Sequence, residues 1–248
     1  MNRKIIAVRR DFIFSLNAEQ KDRAILEAVI RRLGGNVPII DEAQLTDACR
    51  ADIFLSMGRK PQTLHLLGRR MAEGARVVNR PDAVEVCTRR QIEQLMRQHR
   101  IPMPPVKGEH GYWLKRGDAL AQKDTDVIYC HDEQELVRRK IEWRRKGIDT
   151  SIASAHVEGD LIKFYCVGHS FFRWYRLHTA ERGYTFSPDS LHREACRLAN
   201  AIGIEIFGGD CIVDRSGRFS IIDFNDWPSF GPCRDEAADA IAQLLERI

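Results

Sequence analysis

Between residues 4 and 78 short apolar runs alternate with segments of helical period, and this alternation restricts the possible folds more than any other feature. Lys4 to Val8 (KIIAV), Val37 to Ile40, Ile53 to Met57 (IFLSM) and Arg76 to Val78 read as buried strands. From Asn17 or Ala18 to Leu33, Ile25, Leu26, Val29, Ile30 and Leu33 fall on one helical face, and Gly34-Gly35 ends the helix. Pro61 to Met71 is a further helix. Strand–helix alternation predicts a small parallel sheet covered by helices.

Asn79-Arg80-Pro81 breaks the pattern, and a lobe boundary is expected there. A polar helix is predicted over 83–98, stopped by Ile101-Pro102-Met103-Pro104-Pro105, because proline cannot continue the ladder. Beyond it the chain reads as antiparallel β with α+β character. Tyr112 to Lys115, Val127 to Cys130, Ser151 to Val157, Leu161 to Val167, Ser170 to Arg176, Glu205 to Val213 and Phe219 to Phe224 are strands. Glu133 to Arg145, Leu191 to Ile202 and Glu236 to Arg247 are helices, and the turns at 158–160 and 168–169 are short enough for hairpins. The expected organisation is an α/β domain over 1–78, a central lobe over 79–150 and a C-terminal lobe over 151–248.

Composition narrows the function classes. The 248 residues are 44% hydrophobic and 30% charged, an ordinary globular mixture. The net charge of +4 is spread rather than clustered, which suits an anionic small molecule and argues against a nucleic-acid partner. Seven cysteines include no C-x-x-C pair, so free thiols in a reducing compartment are expected. No apolar run approaches the ~18–20 residues that span a bilayer. The start of the chain, charged at both ends, does not read as a signal peptide. A cytoplasmic protein with no membrane partner is the expectation.

The chemistry-bearing residues concentrate between Gly209 and Phe230. Asp210 lies in the apolar strand GGDCIV; Asp223 and Asn225 lie in SIIDFNDWPSF, beyond a turn at Asp214 to Gly217. Residues two apart on a strand share a face. Asp223 and Asn225 therefore point one way, and Asp210 can meet them from the neighbouring strand. Two carboxylates and an amide oxygen are hard ligands without a closed cage, as Mg²⁺ on a phosphate requires.

This run resembles the C-terminal metal-binding hairpin of the ATP-grasp superfamily, in particular the carboxylate–amine ligases of the ribosomal-protein glutamate ligase type. Asp210, Asp223, Asn225 and the Pro228-Ser229 turn match position by position, with Asp223 where many members have Glu. The segment NRPDA at 79–83, the helix after it and IPMP at 101–104 look like the start of the ATP-grasp region. The resemblance implies a two-lobed ATP-grasp fold after the N-terminal domain, ATP and Mg²⁺ as cofactors, and three metal ligands. It places Arg89 at the family's first phosphate lysine and Lys115, in YWLKRGD, at the second nucleotide lysine. Gly117 to Asp126 falls at the phosphate-covering loop, with a single glycine where several are usual. The adenine hinge falls on Ser154, Ala155, His156 and Val157, read through main-chain groups, with Glu158 or Asp160 for the ribose. Lys163 matches a basic strand residue, and Arg176 an arginine contacting transferring phosphate or substrate carboxylate. Strand spacing puts Arg173 and Arg176 on opposite faces, so at most one enters the cleft.

The activity implied is ligation: a small-molecule or peptide carboxylate becomes an acyl phosphate that an amine or thiol then captures. The turn at 226–230 is the candidate contact for the acceptor, and Trp227 and Phe230 read either as its apolar lining or as core. The alternatives are a kinase acting on a hydroxyl of a small, inositol-phosphate-like substrate and a nucleotide-binding module without turnover. Many relatives dimerise, so a homodimer is compatible with the resemblance.

Overall fold

The computed structural model describes residues 3–15, 18–117, 124–177 and 182–246. The N-terminal part is a parallel sheet of β1 (Ile5–Arg9), β2 (Ile39–Asp41), β3 (Ile53–Ser56) and β4 (Arg76–Val78) in the order β2-β1-β3-β4. Helices α1 (Glu19–Arg32) and α2 (Pro61–Ala72) connect its strands. Helix α1 buries Ile25, Leu26, Val29 and Ile30, the face set by its periodicity. Gly34, at φ +92°, turns the chain out of it, a backbone region that glycine enters without strain.

One helix was expected over 83–98; the chain forms two. Helix α3 (Pro81–Glu85) starts on Pro81, and α4 (Arg89–Gln98) starts afresh because the Thr88 side chain accepts the Gln91 N–H. This second start makes Arg89 the first residue of α4 and sets it at the rim of the cleft.

Strands β5 (Tyr112–Arg116), β6 (Val127–Cys130) and β7 (Ser151–Ala155) form an antiparallel sheet in the order β6-β5-β7, backed by α5 (Glu133–Arg145). Strand β7 belongs to this sheet, so the sheet extends past the boundary expected at 150. Leu114, Cys130, Leu136 and Trp143 make a small core of its own. The last sheet runs β11-β10-β8-β9, with β8 (Asp160–Val167), β9 (Phe171–Arg176), β10 (Ile206–Val213) and β11 (Phe219–Asp226) all antiparallel. Helix α6 (Pro188–Ile202) covers one face. Helix α7 (Arg234–Glu246) packs between the other face and α1.

The N-terminal sheet has a core of its own on one face, where Ile6, Val8, Phe54 and Val77 pack with Leu67 of α2, and shares the core of the C-terminal part on the other. Ala7, Leu26, Val29 and Leu55 pack in one cluster with Tyr165, Trp227, Phe230 and Ile241. Buried Asn79 adds polar ties: its Nδ2 donates to Ile206 O at 2.7 Å, and its Oδ1 accepts from the N–H groups of Glu205 at 3.0 Å and Ile206 at 2.8 Å. Asn79→Ala strands all three groups and is expected to lower unfolding stability by about 3 kcal/mol in a denaturant titration. All seven cysteines are free. Among the described residues no helix is long and apolar enough to cross a membrane.

Candidate active site

Strand pairing builds the site. Asp210 lies opposite Asp223 and Gly208 opposite Asn225 on β10 and β11; on the other side of β10, Lys163 lies opposite Asp210 and Tyr165 opposite Gly208. Directly opposed residues of antiparallel strands project to the same face. Lys163, Asp210 and Asp223 therefore form one row, with Asn225 beside it. The Lys163 Nζ lies 3.2 Å from Asp210 Oδ1, and Asn225 Nδ2 donates to Asp223 Oδ2 at 2.9 Å.

The glycines before Asp210 have a steric cause. A Cβ on Gly209 would lie 2.3 Å from Asp223 O and 2.6 Å from the Phe164 ring, and one on Gly208 would lie 2.7 Å from Phe164 O. Only glycine lets β8 and β11 approach β10 this closely. The register then shifts between Asp210 and Cys211, where Cys211 pairs with Ile221 and Ile222 is the extra residue. The freed Ile222 carbonyl accepts from Lys115 Nζ at 2.7 Å, across the cleft from β5.

The carboxylates sit in a demanding field. Their side chains are 22% (Asp210) and 23% (Asp223) exposed. Burial pushes the Asp210 carboxyl above its usual range, Lys163 pulls it back, and neighbouring Asp223 pushes it further up. Its buried Oδ1 has the Lys163 ammonium at 3.2 Å as its countercharge. Two adjacent acids, one of them pushed up by burial, are the environment that a bound cation relieves. Among the described residues no position gathers three His, Cys, Asp or Glu ligands. Two carboxylates and the Asn225 amide oxygen therefore suit Mg²⁺, which draws its other ligands from phosphate and water, better than zinc.

Lys115 on β5 and Arg89 on α4 approach the same row. Burial lowers the Lys115 pKa, Asp223 opposes that, and Arg89 adds to the lowering. Arg89 Nε lies 3.8 Å from Asp223 Oδ1, and its Nη1 reaches Arg116 O at 3.5 Å. A narrow slot of about 50 Å³ runs between β7 and β11, with Met103, Ser154 and Phe224 on its walls and Lys115 and Asp223 on its lining. A nucleotide base needs a larger space, so the two sheets must part to admit one.

The hinge residues divide. Ser154 lines the slot. The Ala155 and His156 N–H groups are already given to Pro105 O at 2.8 Å and Gly111 O at 2.9 Å, and His156 Nδ1 accepts from Trp113 Nε1 at 2.9 Å. Those two amides are thus engaged within the protein and do not point free toward a base. Val157 is half-buried in the connection to β8, and Glu158 is exposed, 3.7 Å from Arg182.

Asp160 and Arg176 do not join the row. Asp160 is fully buried, paired with Arg176, and accepts from the N–H groups of Arg182 at 2.5 Å and Tyr184 at 2.8 Å. Arg176 lies opposite Ile162, whereas Lys163 lies opposite Tyr175, so Arg176 emerges on the face away from Asp210. It also donates to Tyr184 O at 2.9 Å. The expected ribose acid and catalytic arginine are one internal ion pair. Arg173 does lie on the opposite side from Arg176, yet it is bound to Glu236 of α7 through Nε at 2.7 Å. Of the loop expected to cover phosphate, residues 118–123 lie outside the described residues.

Three residues absent from the sequence reading complete the picture. Arg10, Asp22 and Arg59, with Asp226 of the 226–230 turn, line a second cavity of about 320 Å³ beside Lys163, Arg89 and Asn225. The signal was available. Arg10 follows β1 and Arg59 follows β3, and in a 2-1-3-4 parallel sheet these two carboxyl ends flank the switch point where ligands bind. Trp227 and Ser229 of the 226–230 turn line the same cavity, while Phe230 is core against Tyr165 at 5.6 Å between rings.

No family model and no curated protein matches the chain. Solved structures do. A RimK domain ATP-grasp protein from Sphaerobacter thermophilus superposes with a TM-score of 0.68 at 18% identity, over 97% of this chain and 98% of that one. The ATP-grasp ligase PsnB, in complex with a minimal precursor, gives 0.70 at 15% identity, over 98% and 100%. The D-alanine–D-alanine ligase from Coxiella burnetii gives 0.70 at 13% identity, over 98% and 94%. With matches that extend over nearly the whole chain, this protein has the ATP-grasp fold.

Proposed function

We propose that the protein is an ATP- and Mg²⁺-dependent ligase that activates a carboxylate as an acyl phosphate for capture by an amine or thiol. One observation carries this reading: Lys115 on β5 and Arg89 at the start of α4 converge on the row formed by Lys163, Asp210, Asp223 and Asn225, and a second, cationic cavity opens beside that row. A ligase needs both a triphosphate site and an adjoining acid site; a nucleotide-binding module needs only the first. The names of the matched structures, ATP-grasp ligases among them, agree with this.

Asp210, Asp223 and Asn225 would hold Mg²⁺, which supplies charge neutralisation on the triphosphate. Lys115 and Arg89 hold the phosphate oxygens and stabilise charge as the γ-phosphoryl moves. A substrate carboxylate oxygen, placed by the second cavity, attacks the γ-phosphorus as the bond to the bridging oxygen breaks and ADP leaves. An amine then attacks the acyl carbon, loses a proton, and phosphate departs. The acyl phosphate must be shielded from water between these steps.

The test incubates the protein with ATP, Mg²⁺ and pooled carboxylates with pooled amines and thiols. ADP together with an amide or thioester is expected. A phosphorylated alcohol, or nucleotide binding without ADP, contradicts the ligase reading. Lys115→Met removes a charge-assisted contact and is expected to weaken Mg-ATP binding about 10–100-fold by calorimetry. Because burial holds the Lys115 pKa low, wild-type affinity should also fall as pH rises through that lowered value, before an ordinary lysine titrates near 10.4.

A further inference from the structure

We propose that the second cavity binds a second oxyanion of the substrate through Arg10 and Arg59, so that the acid being activated is a small dianion rather than a monocarboxylate. The assignment rests on the ligase reading for the identity of the activated group, but the anion site is argued from this cavity alone.

The side chains lining it include four cations, Arg10, Arg59, Arg89 and Lys163, and two acids, Asp22 and Asp226; Arg89 and Lys163 face Asp223 and Asp210 of the neighbouring row. Arg10 is 8% exposed and the Arg59 side chain 17%, so neither cation is solvated as a surface arginine would be. Burying two guanidinium groups near one another is unfavourable. The protein accepts that cost here: burial lowers the Arg59 pKa to about 10, and neighbouring Arg10 lowers it as well. A purely structural role would match each cation with an acid and satisfy its donors. The charges are matched, Arg10 by Asp22 and Arg59 by Asp226, but the hydrogen bonds are not. Asp226 takes one Nη of Arg59, while the buried Arg59 Nε has no hydrogen-bond partner and Asp226 Oδ2 has none either. Arg10 is fixed by Trp227 O at 2.5 Å and by Asp22 at 3.1 Å. Both acids are themselves anchored, since Ser15 donates to Asp22 at 2.5 Å and Asp226 is buried against Arg59.

The placement gives the site its direction. Arg10 and Arg59 come from the carboxyl ends of β1 and β3, on the N-terminal side of the cavity, and Lys163 and Asn225 come from the metal-binding face of the C-terminal sheet. A substrate spanning the cavity presents one carboxylate to the Lys163 and Asn225 side and its second oxyanion to the two arginines. A guanidinium fork recognises either carboxylate or phosphate oxygens. Both chemistries belong to the proposal, and the test separates them.

Thermal unfolding and calorimetry are run without nucleotide, at constant ionic strength, with glutarate, 3-phosphonopropanoate and monomethyl glutarate. At least one dianion is expected to bind about tenfold more tightly than the monoester. Glutarate as the tighter dianion identifies a second carboxylate, and 3-phosphonopropanoate a phosphate-like group. Arg59→Lys keeps the charge opposite Asp226 but loses the fork. The double variant Arg59→Gln, Asp226→Asn removes both charges together, so that neither is left buried alone. Both are expected to erase the preference for the dianion. Equal binding of dianion and monoester, no binding by any of the three, or a preference that survives both variants overturns the proposal. Binding of Mg²⁺ with a non-hydrolysable ATP analogue is measured on the same unaltered protein. Failure there removes the ligase reading and leaves the anion result to stand or fall by itself.

Discussion

Asp223→Asn is expected to lower kcat/KM for Mg-dependent ATP turnover by more than about a hundredfold while leaving the fold intact. The lower bound follows from what is lost when only an outer partner of a metal ligand is removed. Here the change reaches a carboxylate at the centre of the row, opposite Asp210, hydrogen-bonded to Asn225 and 3.8 Å from Arg89. Asparagine keeps the shape and loses the charge. Without substrate, the variant should melt near wild type, because relief of the Asp210 carboxyl offsets the countercharge lost beside Lys115 and Arg89. Loss of turnover with an unchanged or raised Tm marks a residue kept for chemistry; loss of both would mark a structural acid. Unchanged turnover would remove Asp223 from the metal site.

Arg176→Met is expected to do the reverse, lowering unfolding stability by about 3–5 kcal/mol, roughly 10 °C in Tm. The variant leaves the buried Asp160 carboxylate with the Arg182 and Tyr184 N–H groups and no countercharge. Turnover per folded molecule should stay near wild type, because Arg176 lies on the sheet face away from Asp210. The effect depends on pH with a defined sign. Burial alone would raise the Asp160 pKa, but the Arg182 and Tyr184 N–H groups and the Arg176 charge outweigh it, and the folded value is lowered. Stability from the pair is therefore fully present above the unfolded value near 3.9 and is lost as pH falls through the lower folded value. The gap between wild type and Arg176→Met, measured by denaturant titration, should close in strong acid.

These two variants also mark where the sequence is legible. Asp210, Asp223 and Asn225 could be placed together because two local rules suffice: alternation along a strand and a tight turn between two strands. Arg89 and Lys115 came from the family resemblance rather than from a local rule, and the structure sets both beside Asp223. Arg176 failed on parity. The Gly168-His169 turn pairs Val167 with Phe171, and counting from that pair sets Arg176 opposite Ile162 rather than Lys163. The same count was available in the sequence once the turn length was known. Two of the hinge amides are engaged elsewhere for a different reason. The Ala155 N–H is taken by Pro105, fifty residues away, and no local pattern announces a partner at that distance. The parallel sheet was legible as strands and helices, but the use of Arg10 and Arg59 depends on strand order, which periodicity alone does not give. The break before α4 turned on one residue, Thr88, whose hydroxyl offers a helix start that the apolar pattern does not show.

The most direct measurement is a crystal structure with ADP and Mn²⁺, the manganese located by anomalous scattering. The predicted result is a metal peak bounded by Asp210, Asp223 and the Asn225 amide oxygen, with phosphate oxygens completing its shell and Lys115 moved from Ile222 O onto phosphate. A manganese peak elsewhere, or ADP bound with these three side chains still facing only their protein neighbours, would contradict the account.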